Sequence, residues 1–260
     1  MSSAVQPFDD LARDYDAEFS HTVLGGLLRS RTHEEMLRIF KPGDRLLEIN
    51  CGTGEDAVFL AQRGMTVTAT DSSTEMLQCA RRKIGFMALN DRVEIRHCCF
   101  DELDAVLGGR QGFDGLLSNF GGLNCSADLA ALAATLALRV KSGGYLFLCV
   151  MGRFVPWEWF YLGCRGRFAR VWQRIAGKTI WRGVEIRYYT PAAVIDCFSP
   201  YCEPARLSGL GFLLPPTCAK SLVARRPDFF HLLNRWETRL QSPPLFPSLS
   251  DHFLLTLQRK

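Results

Sequence analysis

Glu48, Gly52, Gly54 and Asp71 are the residues of this chain whose types and spacing can do chemistry. Glu48 lies in the apolar run Leu46-Leu47-Glu48-Ile49, and Asn50-Cys51-Gly52-Thr53-Gly54 follows before a helix-forming stretch from Glu55. Two glycines one residue apart let a backbone turn sharply and come close to a ligand. The helix start beyond them offers unpaired N–H groups to whatever sits in the turn. Asp71 ends a second strand-like segment, Met65–Asp71, where a carboxylate can accept hydrogen bonds from ribose hydroxyls. Strand, turn, helix, strand and acid together describe a site for a nucleoside-containing cofactor.

Two cofactor classes compete for that site. Gly52-x-Gly54-x-x-Ala57 with Asp71 matches the dinucleotide fingerprint, the reading of a NAD-binding oxidoreductase. Glu48 weighs against it, because a carboxylate beside the turn repels a pyrophosphate but suits a ligand carrying an ammonium and a sulfonium. The order Glu48, Gly52, Gly54, Asp71 resembles the class I, seven-stranded, Rossmann-like methyltransferases that use S-adenosylmethionine (SAM). Asn50 stands where that motif has its first glycine, and Asn tolerates the left-handed backbone the turn needs.

The resemblance continues along the chain, to the branch similar to quinone-biosynthesis methyltransferases. Phe8–Asp16 looks like the N-terminal helix that caps the cofactor pocket there. Val93–Phe100 reads as the third strand, with Cys99 in place of the acid that meets the adenine amine and Phe100 as the apolar residue after it. Asp101 or Glu102 stands ready to replace the missing acid. Phe113–Asn119 reads as the fourth strand and Lys141–Leu148 as the turn and strand that follow. The resemblance implies that Glu48 and the Gly52–Gly54 turn face the methionine part of SAM and that Asp71 takes the ribose. It puts Phe100 beside adenine and Asn119 and Phe120 at the methyl-transfer region. Tyr15, Asn50, Ser72, Met76 and Cys99 complete the implied cofactor set, and S-adenosylhomocysteine is the implied product. His21, Tyr15 and Asn119 are the catalytic candidates, with Tyr188 a further possible base.

These residues need a scaffold, and the pattern supplies an α/β one. Strand-like and helix-like segments alternate up to residue 150, which calls for a doubly wound sheet with helices on both faces. The expected order is 3-2-1-4-5-7-6, the last strand antiparallel, with a lid inserted after strand 5. A length of 260 residues and an apolar fraction of 47% suit one domain with an insertion. The expected division is 1–42 for N-terminal capping helices, 43–150 for the SAM-binding core, 151–187 for the lid and 188–260 for completion of the sheet. In the last part, Leu207–Leu214 reads as a strand, Pro227–Glu237 as a helix and His252–Leu257 as the final strand.

The lid holds the densest aromatic cluster, Trp157, Trp159, Phe160 and Tyr161, the candidate substrate-binding residues. Beyond it Arg167, Arg170 and Arg174 fall on one helix face and Phe168, Val171, Trp172 and Ile175 on another. Residues 153–187 contain eight Arg or Lys and two Glu, whereas the whole chain carries only +4, so the rest is slightly acidic. That basic helix reads as a solvated lid, or as a peripheral membrane contact that serves a lipid or quinone acceptor. Nucleic acid is not the expected partner, since no nucleic-acid module is present.

Ten scattered cysteines without a C-x-x-C pair read as reduced core thiols, and no metal site is expected. The N-terminal residues lack the basic start and apolar block of a signal peptide, so a cytoplasmic enzyme is expected. The expected function is SAM-dependent methylation of a small, apolar or aromatic acceptor. A catalytically silent SAM-binding sensor or scaffold is the alternative from another class.

Overall fold

A computed structural model describes residues 8–109, 112–216, 219–240 and 245–260. Seven strands form the main sheet: β1 (Arg45–Ile49), β2 (Thr66–Asp71), β3 (Val93–His97), β4 (Phe113–Ser118), β5 (Val140–Met151), β8 (Cys202–Leu210) and β9 (His252–Arg259). A hairpin of β6 (Lys178–Trp181) and β7 (Val184–Arg187) stands apart from it. The sheet order is β3-β2-β1-β4-β5-β9-β8, the expected order once the hairpin is set aside. β1 to β5 pair in parallel, and β9 runs antiparallel to both β5 and β8. This is a Rossmann-like, doubly wound architecture closed by an antiparallel strand.

Helices pack on both faces of the sheet, which is why Leu46, Leu47, Glu48 and Ile49 are all buried although they alternate in direction. The helices before the lid are α1 (Val23–Ile39), α2 (Glu55–Ala61), α3 (Thr74–Phe86), α4 (Leu103–Leu107) and α5 (Leu129–Arg139). Side-chain caps start several of them: Thr22 accepts from Gly25 N–H, Ser73 from Met76 N–H and Asp128 from Ala131 N–H. α6 (Pro156–Gly163) and α7 (Phe168–Ala176) precede the hairpin, and together the four elements form the insertion after β5. α8 (Pro191–Phe198), α9 (Lys220–Arg225) and α10 (Pro227–Leu240) complete the chain's helices among the described residues. None is long and apolar enough to cross a membrane.

Three local expectations are corrected. Residues 8–16 do not form one helix; they give a 3-10 turn, Asp9–Leu11, before a wide helical turn at Asp16–Ser20. Side-chain bonds to the core bend this segment: Ser73 Oγ donates to Asp9, Thr53 Oγ to Asp16 Oδ1 at 2.7 Å, and Lys83 Nζ to Asp16 Oδ2 at 2.8 Å. The strand expected at 207–214 is instead β8, which starts at Cys202 and stops at Leu210. Gly211 turns the chain there at φ +80°, and the buried Glu237 carboxylate accepts N–H bonds from Gly211, Leu213 and Leu214. The hairpin β6–β7 is additional; its turn, Arg182-Gly183, has positive φ at both residues, the geometry that matches strand twist.

Candidate active site

The sheet order reverses between β1 and β4, and a cavity of about 480 Å³ opens there at the C-terminal ends of the strands. Such a reversal leaves a crevice because successive helices depart to opposite faces. Tyr15, Asn50, Gly52, Asp71, Ser72, Met76, Phe100, Asn119 and Phe120 line it, which places most of the anticipated cofactor residues around one space.

Local backbone geometry builds the floor. Asn50, Gly52 and Gly54 adopt φ +51°, +54° and +76°, so Asn50 does take the left-handed conformation in the place of a glycine. Its amide donates to Ser118 Oγ at 3.2 Å, which braces the turn against β4. Asp71 Oδ2 accepts Gly52 N–H at 2.8 Å and Oδ1 accepts Ser73 N–H at 2.9 Å, joining the end of β2 to the turn after β1. Burial pushes the Asp71 carboxyl up, opposed by these backbone N–H bonds. Two acceptor lone pairs beyond those bonds suit a pair of ribose hydroxyls.

Behind the floor lies a buried ionic cluster that sequence reading did not single out. Asp56, in the first turn of α2, accepts Arg29 Nη1 at 2.7 Å and meets His33 Nε2 at 2.7 Å. Its other oxygen accepts the Asn119 amide at 2.9 Å. Burial alone would raise the Asp56 carboxyl, but the Arg29 charge and the His33 contact hold it well below the usual carboxylate range. Glu48 is the opposite case. Burial, helped by the charge of Asp56, pushes it well above its usual range, and its Oε2 has no hydrogen-bond partner. The signal for Arg29 was present in the sequence as one arginine directly after the apolar residues Leu27 and Leu28.

The anticipated catalytic residues occupy varied positions. Asn119 lines the cavity, but its amide already donates to Asp56 and Thr32 and its oxygen accepts Phe120 N–H, so it braces the wall. Tyr15 also lines it, with its phenol pushed up to about 12, chiefly by burial. At neutral pH that phenol is a proton donor and not a base. His21 does not line the cavity; its side chain is 65% exposed and its Nε2 lies 3.6 Å from Glu55. Asp16, His21 and Glu55 stand close enough to share an ion, yet Lys83 already bonds both carboxylates and supplies the positive charge. Glu48, Gly54 and Cys99 lie outside the lining as well. Gly54 packs its Cα side on Ala80, and Cys99 caps the 3-10 turn Phe100–Glu102. Neither Asp101 nor Glu102 replaces the missing acid at the cavity wall.

The opposite wall comes from the expected N-terminal cap and lid, but, Tyr188 apart, through residues that were not singled out. Phe8, Met151, Thr179, Trp181, Ile186 and Tyr188 line it, with Cys125 beside them. The hairpin reaches over the cleft, where the Trp181 ring meets that of Phe8 at 5.4 Å and Arg182 lies 3.6 Å from Asp10. Burial pushes the Cys125 thiol up to about 11, so it stays protonated. Trp157, Trp159, Phe160 and Tyr161, the expected substrate residues, are not among the lining. Trp157 donates its indole N–H to Leu213 O at 2.9 Å, Trp159 packs edge-on to Phe154, Phe160 is 66% exposed, and Tyr161 lies under Arg165. Their helix begins at Pro156, before the lid turns back toward the cleft, so Trp157, Trp159 and Tyr161 pack within the lid's base while Phe160 faces outward. The lid arginines are also elsewhere: Arg174 is buried between Glu158 and Asp251 and donates to Gly152 O.

Residues 46–144 match a protein family described as a methyltransferase domain. The chain is 31% identical over 144 residues to a demethylmenaquinone methyltransferase of Clavibacter sepedonicus, a match covering 55% of each protein. It is 27% identical over 172 residues to the enzyme of that name from Symbiobacterium thermophilum, covering 59% of this chain and 64% of the other. The matches thus span less than two thirds of either relative. Among solved structures, geranyl diphosphate C-methyltransferase from Streptomyces coelicolor superposes with a TM-score of 0.58 at 13% identity, over 89% of this chain and 77% of that one.

Proposed function

We propose, taking residues 46–144 as the class I methyltransferase domain that fold and family match identify, that this chain transfers a methyl group from SAM to a small, apolar, ring-containing acceptor. One observation carries the choice of cofactor. The helix start where a dinucleotide would rest its pyrophosphate holds two carboxylates, Glu55 and Asp56, and both line the cavity together with Asp71. Glu55 pairs with Lys83 and Asp56 with Arg29, yet three carboxylates against the single lining guanidinium of Arg29 among the described residues still disfavour a pyrophosphate. Glu48, whose buried Oε2 lacks a partner, adds an acceptor beneath the turn.

SAM supplies a methyl group on a sulfonium, already activated for in-line displacement. The protein's share is positioning and the exclusion of water. Asp71 and the Gly52 turn hold the nucleoside end, and Phe100 gives adenine an apolar wall. Asn119, fixed by Asp56 and Thr32, keeps Phe120 in place at the junction of the two halves of the cavity. Phe8, Trp181, Ile186 and Met151 shape the acceptor side, where no Lys or Arg is among the described lining residues. This favours a neutral or apolar acceptor over an anionic one. Residues 151–187 act as the lid, and the resemblance to demethylmenaquinone methyltransferases agrees with a ring-bearing acceptor.

A second element of the reading concerns the lid's outer surface. Phe160, Phe168 and Trp172 are 66%, 60% and 68% exposed. Phe168 Cε1 lies 3.7 Å from the place a side chain at Gly163 would take, so α6 and α7 present these rings close together. Arg165, Arg167 and Arg170 flank them and are exposed. Aromatics beside arginines suit the interface of an anionic membrane, from which the lid would receive an apolar acceptor. A flotation assay with vesicles containing phosphatidylglycerol tests this contact; Trp172→Glu should abolish it.

Thermal unfolding tests the cofactor. SAM and S-adenosylhomocysteine should raise the Tm, because a ligand bound by the native state alone stabilises it. Product formation across apolar acceptors then separates an enzyme from a silent SAM-binding protein.

A further inference from the structure

The apolar arc of α10 is wider than the core that covers it. Phe230 is buried, Leu233 packs on the core, and Glu237, seven residues after Phe230 on the same side, binds the turn after β8. Phe229, Leu232 and Trp236 fall at i, i+3 and i+7, a second stripe beside that face, and are 52%, 51% and 51% exposed. Between residues 225 and 239 the exposed charges are Arg225, Arg226, Arg235 and Arg239 against Asp228 alone. Arg235 and Arg239 border the stripe, and the Arg239 guanidinium lies 5.4 Å from the Trp236 ring. A row of large apolar side chains left in water marks a surface that something covers.

The place of this helix says more. Trp157, at the start of α6, donates to Leu213 O at 2.9 Å, and Glu237 accepts Leu213 N–H at 2.9 Å. One turn therefore anchors both the base of the lid and α10. Phe160, whose ring lies 6.0 Å from that of Trp157, is one of the exposed lid aromatics. We infer that α10 is a membrane-contacting helix, with Phe229, Leu232 and Trp236 in the interface of an anionic lipid surface and Arg235 and Arg239 on its headgroup phosphates. The inference rests on the membrane reading of the lid, of which α10 supplies the second half. Two weak contacts on one chain act together, so the loss of either leaves too little for stable binding. A second copy of this chain fits worse, since packing this face on itself sets four arginines against four.

The test is flotation of the full chain with vesicles of phosphatidylcholine, alone or mixed with phosphatidylglycerol. The wild type should float with the mixed vesicles only, and less so as added salt screens the charges. Leu232→Ser with Trp236→Ser changes no charge and should lower the partition on the order of 100-fold, the worth of two interfacial side chains. Arg235→Gln with Arg239→Gln should lower it on the order of 10-fold. Both pairs should keep the wild-type Tm and S-adenosylhomocysteine affinity. Phe86→Ser is the control: Phe86 is 86% exposed, but it ends α3, which packs by β3 at the sheet edge opposite β8, and its loss should change nothing. Flotation kept by both α10 pairs and lost in Trp172→Glu overturns the inference and leaves the lid contact standing; an acidic protein surface then becomes the better occupant. Flotation lost in the α10 pairs and kept in Trp172→Glu supports α10 and removes the lid reading. A wild type that binds neither kind of vesicle, or both equally, overturns the inference outright.

Discussion

Asn119 and Asp56 are joined across the head of the cleft: the amide at the end of β4 donates at 2.9 Å to the carboxylate in the first turn of α2. That bond ties the two halves of the sheet at the point where their order reverses. Arg29 and His33 meet the other Asp56 oxygen, so α1 is fastened to the same group. Asp56 is therefore a fastening point for three segments, and its loss should be felt as stability.

Asp56→Ala should destabilise the fold by about 3–5 kcal/mol, the usual cost of leaving a buried partner charge uncompensated. The direction of the pKa shift also fixes a pH dependence. The folded Asp56 carboxyl lies below its unfolded value of about 3.9. The stability it contributes is complete above that value and is lost as pH falls beneath it. Urea unfolding between pH 5 and 2 should show a shallower acid loss in Asp56→Asn than in the wild type. Equal slopes would contradict the buried pair.

Trp181 and Trp157 should behave differently. Trp181 lines the cavity, whereas Trp157 is bonded to Leu213 at the base of the lid. Trp181→Ala should raise the acceptor KM on the order of 10-fold and leave S-adenosylhomocysteine affinity unchanged, as expected when apolar area in a pocket is removed. Trp157→Ala should lower the Tm and alter the acceptor KM little. The reverse pattern would return the acceptor site to the base of the lid.

Gly122 is confined by the turn that carries the cofactor motif. A Cβ there would fall 1.5 Å from Asn50 Nδ2, so Gly122→Ala must push that side chain away from Ser118. Overpacking of this kind costs about 1–3 kcal/mol. SAM affinity should drop while far-UV circular dichroism is unaltered. Unaltered affinity would show that the Asn50 brace is dispensable.

Glu237 is not among the residues that line the cavity and tests the fold alone. Its carboxylate accepts three backbone N–H groups of the turn after β8, although burial pushes it up. Glu237→Ala leaves those donors without acceptors and should cost on the order of 3 kcal/mol in urea unfolding. S-adenosylhomocysteine affinity, measured where the variant is folded, should match the wild type.

The core of this molecule could be read from its residues because the pattern there is local. Glu48, Gly52, Gly54 and Asp71 carry both the turn and the strand that follows it, and the order of the sheet came with the motif. The cavity wall opposite that turn could not be read that way. Phe8 and Trp181 are far apart in sequence and meet only because the hairpin folds back over the N-terminal segment. The Arg182-Gly183 turn between Lys178-Thr179-Ile180 and Val184-Glu185-Ile186 was a legible hairpin signal, masked by the stronger helical pattern before it. Arg174 misled for a related reason. Helical spacing placed it with Arg167 and Arg170 toward solvent, but Glu158 and Asp251 draw it inward. Periodicity states which residues share a face and not which face the rest of the chain will cover.

The most direct test of the account is a calorimetric titration of the wild-type protein with S-adenosylhomocysteine and with NADH, repeated on Asp71→Asn. The account predicts one-to-one binding of S-adenosylhomocysteine, no heat from NADH, and an affinity reduced on the order of 10- to 100-fold in Asp71→Asn, the worth of hydrogen bonds to a charged acceptor. Binding of NADH without S-adenosylhomocysteine, or an affinity indifferent to Asp71, would contradict it.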